Sequence, residues 1–162
     1  MRYSGIIEND FSAAPGISTT LFTQGCPFHC PGCHNQHTWD FNGGKEFTPE
    51  VLDTIIKALT ANGITRNLCI MGGEPLCKEN IPLTHFVISN VKEKLQEVKI
   101  YIWTGFIYED LLKNQSPELQ KILSMTDVLV DGPYIDKLRD ITLPMRGSSN
   151  QRIIKLKENN YD

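Results

Sequence analysis

The feature that most constrains this chain is a short loop with three cysteines. The segment from Gly25 to Cys33 reads GCPFHCPGC, which places Cys26, Cys30 and Cys33 in the spacing C-x3-C-x2-C. Two prolines and two glycines in the same segment oppose regular helix and strand formation. The loop can therefore wrap a compact object, and its three thiols cannot all point away from one another.

Three thiols at this spacing predict ligation of a metal or of an iron–sulfur cluster. The reducing cytosol disfavours disulfides, so the five cysteines are not expected to form a disulfide framework. A [4Fe–4S] cluster with three cysteine ligands leaves one iron open to bind a small molecule. The alternative is a zinc site that takes His29, His34 or His37 as its fourth ligand. Of the two distant cysteines, we expect Cys69 to be a buried strand residue and Cys77 to be incidental.

Length and charge exclude several classes of protein. A chain of 162 residues fits one domain, and we expect residues 1–162 to form it. The net charge of -3 gives no long-range attraction to nucleic acid. No apolar run approaches the ~20 residues of a membrane-spanning helix, and the start of the chain lacks the apolar region of a signal peptide. We therefore expect a cytoplasmic protein.

Short β-like runs alternate with helical stretches along the rest of the chain. Strands are predicted over residues 17–23, 67–71, 99–103, 127–131 and 152–156. Helices are predicted from Pro49 to the Asn62-Gly63 pair, over 81–97, and over 108–124 with a break near Pro117. This alternation implies right-handed crossovers and a mainly parallel sheet, but the strands are too few for a closed barrel of ~250 residues. The predicted fold class is α/β, an open partial (β/α) barrel.

Polar and glycine-containing turns follow the predicted strands. The cysteine loop follows the first strand, and the sequences GGEP (72–75), TG (104–105) and DGP (131–133) follow the next three. Ligand sites of parallel α/β folds lie beyond the carboxyl ends of the strands. The sequence therefore predicts one site at this edge of the sheet.

The cysteine spacing, followed by Gly72-Gly73-Glu74, resembles the radical S-adenosylmethionine superfamily. The resemblance implies that Cys26, Cys30 and Cys33 hold the cluster, and that its open iron binds the amino and carboxylate groups of S-adenosylmethionine.

The same resemblance implies a set of cofactor contacts. Glycine lacks a Cβ, so the backbone of the GGE turn can approach the ligand, and its glutamate orients the ligand's ammonium group. Many members of the superfamily carry an aromatic residue before the last cysteine, where this chain has Gly32. The adenine is then left to backbone contact or to stacking on His34. Thr104 either contacts the cofactor or caps a turn, and Asp131 either binds ribose or closes a turn. The predicted cofactor-binding residues are Gly32, Cys33, His34, Gly72, Gly73, Glu74, Thr104 and Asp131.

A more particular resemblance covers most of the chain. The segments CPFHCPGCHNQHTW (26–39), WTG (103–105), DVLVDG (127–132) and RGSSNQ (146–151) are similar to those of anaerobic ribonucleoside-triphosphate reductase activating proteins. The resemblance implies a protein substrate, the large reductase subunit, on which a glycyl radical is formed, and a reduced flavodoxin-type electron donor. The 146–151 segment either lines the partner's glycine loop or is an exposed polar turn.

Two alternatives remain at this point. The chain could activate another glycyl-radical enzyme of the pyruvate formate-lyase type, although those activators are usually longer. It could instead be a zinc-stabilised binding module without catalysis.

Overall fold

A seven-stranded sheet forms the centre of the computed structural model, which describes residues 1–157. Its strand order is β3-β1-β2-β4-β5-β6-β7. The strands are β1 (Arg2–Asp10), β2 (Ser18–Thr23), β3 (Lys45–Glu46), β4 (Asn67–Gly72), β5 (Ile100–Trp103), β6 (Val128–Asp131) and β7 (Arg152–Lys155). The helices are α1 (Pro49–Leu59), α2 (Ile81–Lys94), α3 (Tyr108–Lys113) and α4 (Pro117–Met125), with short 3-10 turns at Gln36–Thr38, Ala61–Gly63 and Asp136–Leu138.

The sheet is mixed, so the predicted mainly parallel partial barrel is wrong. Strands β2, β4, β5 and β6 pair in parallel. Strands β1, β3 and β7 add three antiparallel pairings at the two sides of an open sheet. The loop over residues 11–17 is too short for a parallel crossover, which needs a dozen or more residues, so β1 and β2 pair as a hairpin. Strand β7 follows β6 through an irregular segment and returns antiparallel to it.

The main hydrophobic core lies between the sheet and the helices. Alternation along β4 turns Leu68 and Ile70 toward the helices, where both are fully buried. Cys69 and Met71 lie on the opposite face, in a smaller cluster with Tyr101. The prediction that Cys69 is a buried strand residue is confirmed.

The helix boundaries follow local sequence signals. Pro49 opens α1, where a proline costs no hydrogen bond. The Ser116 hydroxyl accepts a hydrogen bond of 3.3 Å from the Leu119 N–H and caps α4. The break between α3 and α4 therefore falls where Pro117 predicts it. None of the helices within residues 1–157 combines the length and the apolar character that crossing a membrane requires.

The parallel part of the sheet positions the site. Strands β2, β4, β5 and β6 all run in one direction, so their carboxyl ends meet at one edge. The turns that follow these four strands are the ones in which the sequence places its candidate residues.

Candidate iron–sulfur and cofactor site

The cysteine loop leaves the end of β2 and closes on its own backbone. The Gly25 N–H donates to the Thr38 carbonyl at 2.6 Å, and the Cys26 N–H donates to the Trp39 carbonyl at 3.1 Å. The His29 and Trp39 rings stack at 4.6 Å. These contacts hold the loop closed at its base.

The base of this loop is bound to the turn after β4. The Gly25 carbonyl accepts hydrogen bonds from the Glu74 N–H at 2.8 Å and from the Asn80 amide at 3.1 Å. The Gly73 N–H donates to the Thr23 carbonyl at 3.0 Å. The two sequence motifs are therefore in direct contact.

Cys26, Cys30 and Cys33 line the same cavity, and all three are half-buried free thiols. Burial raises the pKa of the Cys26 and Cys30 thiols, and backbone N–H groups directed at each sulfur act in the opposite sense. The Asn35 N–H donates to Cys33 Sγ at 3.4 Å. As the side chains stand, residues 1–157 contain no group of three His, Cys, Asp or Glu arranged to hold a metal ion.

The donor set nevertheless fits an iron–sulfur cluster. Thiolates are the usual ligands of such clusters, and N–H groups directed at the sulfurs tune them. The Phe28 and His29 N–H groups are directed at Cys26, and the Tyr134 N–H group is directed at Cys30. Three thiols with backbone donors on one cavity wall are the chemistry that a three-cysteine cluster needs.

Glu74 lies at the cavity wall and is 1 % exposed. Its Oε1 accepts hydrogen bonds from the Thr104 hydroxyl at 2.6 Å and the Leu76 N–H at 3.0 Å. Its Oε2 accepts one from the Gly105 N–H at 2.7 Å. Burial raises the pKa of the carboxyl to about 7, against the effect of these three donors. Glu74 therefore joins the end of β4 to the end of β5.

The structure brings most of the predicted site residues together. The predicted residues that line the cavity are Cys26, Cys30, Cys33, His34, Gly72, Gly73, Glu74 and Thr104. Of the histidines weighed as zinc ligands, only His34 is among the lining residues, and the His29 ring stacks on Trp39.

Two predicted residues lie elsewhere. A Cβ on Gly32 would fall 2.5 Å from an oxygen of Asp136, so this position packs against the segment after β6. Asp131 is fully buried, and its oxygens accept hydrogen bonds from the Arg152 guanidinium and the Tyr108 N–H. Ribose binding by Asp131 stays a prediction, and in this structure its carboxylate is occupied by protein groups.

Other lining residues were not singled out from the sequence. Phe28 packs edge-on against Phe106 at 4.8 Å, and Tyr134 lies beside His34 at 5.8 Å. Met145 accepts a hydrogen bond of 2.7 Å on its carbonyl from the Trp103 indole. Tyr134 follows the Gly132-Pro133 turn, and this position just beyond a strand end could have identified it as a site residue.

Three thiols with N–H donors, at the edge where the carboxyl ends of the parallel strands meet, are typical of a protein that binds a single iron–sulfur cluster. Residues 13–154 match the family described as a 4Fe-4S single cluster domain. The chain is 35 % identical over 158 residues to an anaerobic ribonucleoside-triphosphate reductase-activating protein of Salmonella typhi, covering 97 % of this chain and 100 % of that relative. Proteins of the same description from Escherichia coli (34 % over 158 residues; 97 % and 100 % covered) and Vibrio cholerae (36 % over 154 residues; 94 % and 97 % covered) are similar to it as well.

The chain belongs to the family of anaerobic ribonucleoside-triphosphate reductase-activating proteins. This confirms the resemblance that the four sequence segments predicted.

Proposed function

We propose that this chain holds a [4Fe–4S] cluster through Cys26, Cys30 and Cys33 and uses S-adenosylmethionine to form a glycyl radical on the large subunit of an anaerobic ribonucleoside-triphosphate reductase. The observation that carries the proposal is that the three thiols and the Gly72–Glu74 turn line one cavity. The family model for a 4Fe-4S single cluster domain and the description of the relatives support it.

The cluster site rests on the loop that carries its ligands. When bound, a reduced cluster would supply the one electron that cleavage of the S–C5′ bond of S-adenosylmethionine requires, with methionine and a 5′-deoxyadenosyl radical as the products. The protein's part is to fix the three thiols on one wall and to direct backbone N–H groups at them. The three thiols would hold three of the four irons, and the loop offers no fourth cysteine for the last one.

The turn after β4 is the proposed site for the methionine end of the cofactor. Gly72 and Gly73 line the cavity without side chains, so a ligand can approach their backbone. A carboxylate offers about four acceptor positions, and protein donors use three of those on Glu74. One position is left to orient an ammonium group, which a buried carboxylate also attracts by its charge.

The other lining residues are suited to the rest of the cofactor. Met71, Trp103 and Met145 present apolar surface to the cavity, which excludes water from a reactive radical. His34 lines the cavity beside Tyr134, and we propose it for stacking on the adenine.

The proposed substrate is a glycine of the partner subunit. A 5′-deoxyadenosyl radical in the cavity would take a hydrogen atom from the glycine Cα, giving 5′-deoxyadenosine and a glycyl radical stabilised by the flanking amide groups. The cavity lies at the open edge of the sheet, so a peptide loop can reach it. A reduced flavodoxin-type protein is the proposed electron donor.

The test is anaerobic. Wild-type chain and Cys30→Ala are reconstituted with iron and sulfide, dithionite and S-adenosylmethionine are added, and 5′-deoxyadenosine is measured with and without the large reductase subunit. Cys69→Ala is the matched control, because it removes a buried thiol outside the cavity. We expect product from wild type and the control and none from Cys30→Ala. A colourless wild-type protein with one zinc, or an intact reduced cluster that yields no product even with the subunit, would overturn the proposal.

A further inference from the structure

Residues 133–150, here called the 133–150 lobe, connect β6 to β7 without regular strands or long helices. Hydrogen bonds nevertheless hold the lobe in one conformation. The Asp140 N–H donates to the Gly147 carbonyl at 3.2 Å, and the Ser149 N–H donates to the Leu138 carbonyl at 2.9 Å. The Asn150 amide closes the lobe by donating to the Pro133 carbonyl at 2.7 Å. The lobe is therefore a preorganised structure.

Three large aliphatic side chains of this lobe face solvent within seven residues. Ile135 is 39 % exposed, Leu138 is 42 % exposed and Ile141 is 82 % exposed. Ile135 immediately precedes the 3-10 turn and Leu138 is its last residue, and residues three apart in such a turn lie on one side. Contiguous exposed apolar side chains mark interaction sites, and the spacing of Ile135 and Leu138 places these two side by side.

The same lobe forms part of the cavity wall. Tyr134, Met145 and Gly147 line the cavity together with the three cysteines. The Tyr134 backbone N–H is directed at the Cys30 thiol. A molecule seated on the lobe would therefore lie at the mouth of the cavity.

The polar groups of the lobe are incompletely paired. Among the residues that the structure describes, three buried side-chain polar atoms have no hydrogen-bond partner, and two of them are Arg146 Nε and Asn150 Oδ1. Leaving such an atom unpaired costs about 1–3 kcal/mol. The lobe therefore contains one buried donor and one buried acceptor without a protein partner.

We propose that the exposed face of the 133–150 lobe is the docking surface for the glycine-bearing subunit of the reductase, an inference that rests on the proposed function. A glycine that must reach the cavity brings its own protein surface to the cavity mouth, and the lobe both lines the cavity and carries exposed apolar side chains. An electron donor needs no entry to the cavity. A second copy of this chain seated on the lobe would obstruct the entry of the glycine to the cavity.

The experiment compares reconstituted Ile141→Glu and Leu138→Glu chains with wild type. Phe11→Glu is the matched control, because Phe11 is a 73 % exposed apolar side chain in the loop before β2, at the opposite edge of the sheet. Four quantities are measured: affinity for the purified large subunit, self-association of the chain, glycyl radical yield by EPR, and 5′-deoxyadenosine formed with dithionite when the subunit is absent. We expect each lobe variant to bind at least about tenfold more weakly and to yield less radical, with unchanged subunit-free cleavage. The control behaves as wild type.

The outcomes separate this inference from the proposed function. Lobe variants that bind the subunit like wild type, or a control that loses affinity equally, overturn the docking surface. Loss of self-association with unchanged subunit binding assigns the lobe to a second copy and also overturns it. A wild-type chain that binds the subunit but cleaves no S-adenosylmethionine overturns the proposed chemistry, and weakened binding by the lobe variants would still support the docking surface.

Discussion

Gly73 lies against Gly25 so closely that a Cβ on Gly73 would fall 2.3 Å from the Gly25 carbonyl oxygen. The obstacle is backbone, which cannot move aside as a flexible side chain would. This contact joins the turn after β4 to the base of the cysteine loop, so the position of the thiols depends on it.

Gly73→Ala should therefore displace the cysteine loop. We expect a loss of about 1–3 kcal/mol in the free energy of unfolding, as for other overpacked positions, and less iron and sulfide per chain after reconstitution. Gly5→Ala is the control, because a Cβ at Gly5 meets nothing within 4 Å. Denaturant unfolding and iron analysis measure both quantities, and full iron content in Gly73→Ala would contradict the stated dependence.

Glu74→Gln should separate cofactor binding from cluster binding. The substitution removes the negative charge at the cavity wall and places an amide nitrogen opposite the Thr104 hydroxyl or the Gly105 N–H, both of which donate to Glu74. We expect a cluster close to wild type in its absorption spectrum and roughly tenfold weaker binding of S-adenosylmethionine. The exposed neighbour Glu79, changed to Gln, is the control. Unchanged cofactor affinity in Glu74→Gln would remove Glu74 from the binding site.

Glu74 also predicts a pH dependence of stability for the cluster-free chain. Burial raises the pKa of the folded-state carboxyl from 4.5 to about 7, so folding takes up a proton between these values. The stabilising contribution is complete below pH 4.5 and is lost as the pH rises through 7, by about 3 kcal/mol in all. Urea unfolding of wild type and Glu74→Gln from pH 5 to 8 isolates this contribution. A difference between the two proteins that does not change with pH would contradict the raised pKa.

The sequence predicts five strands, and the structure has all five, as β2, β4, β5, β6 and β7. Strands β2, β4, β5 and β6 each end in a recognisable turn, so both the strands and the site edge could be placed. Strand β1 mixes polar and apolar residues, and the two-residue β3 exists only through its pairing with β1, so neither had a clear local signal. The mixed direction of the sheet depends on connections rather than on strand composition.

The residues of the candidate site also fall into those with a local sequence signal and those without one. Thiol spacing and the GGEP turn are local signals, and their residues do meet at one cavity. Tyr134 and Met145 reach the cavity because long-range hydrogen bonds set the path of the 133–150 lobe, and no local pattern encodes such a path. Asp131 shows the converse, since its place at the end of a strand indicated a ligand contact while its partners lie on α3 and β7.

The last prediction concerns the Asp131 carboxylate, which accepts hydrogen bonds from the Arg152 guanidinium at 3.0 Å and from the Tyr108 N–H at 2.8 Å. The Asp131 side chain is 1 % exposed, so removing its cation leaves a buried charge without its counter-ion. Arg152→Ala should lower the free energy of unfolding by about 1–3 kcal/mol, a figure reduced because the Arg152 side chain is 46 % exposed. Asp131→Asn in the same background should recover part of this loss, because the buried group is then neutral. Thermal and urea unfolding measure both effects, and isothermal titration of Asp131→Asn with S-adenosylmethionine tests the ribose contact. Unchanged cofactor affinity would assign Asp131 to the β6–β7–α3 junction, and a tenfold loss without loss of stability would assign it to the cofactor.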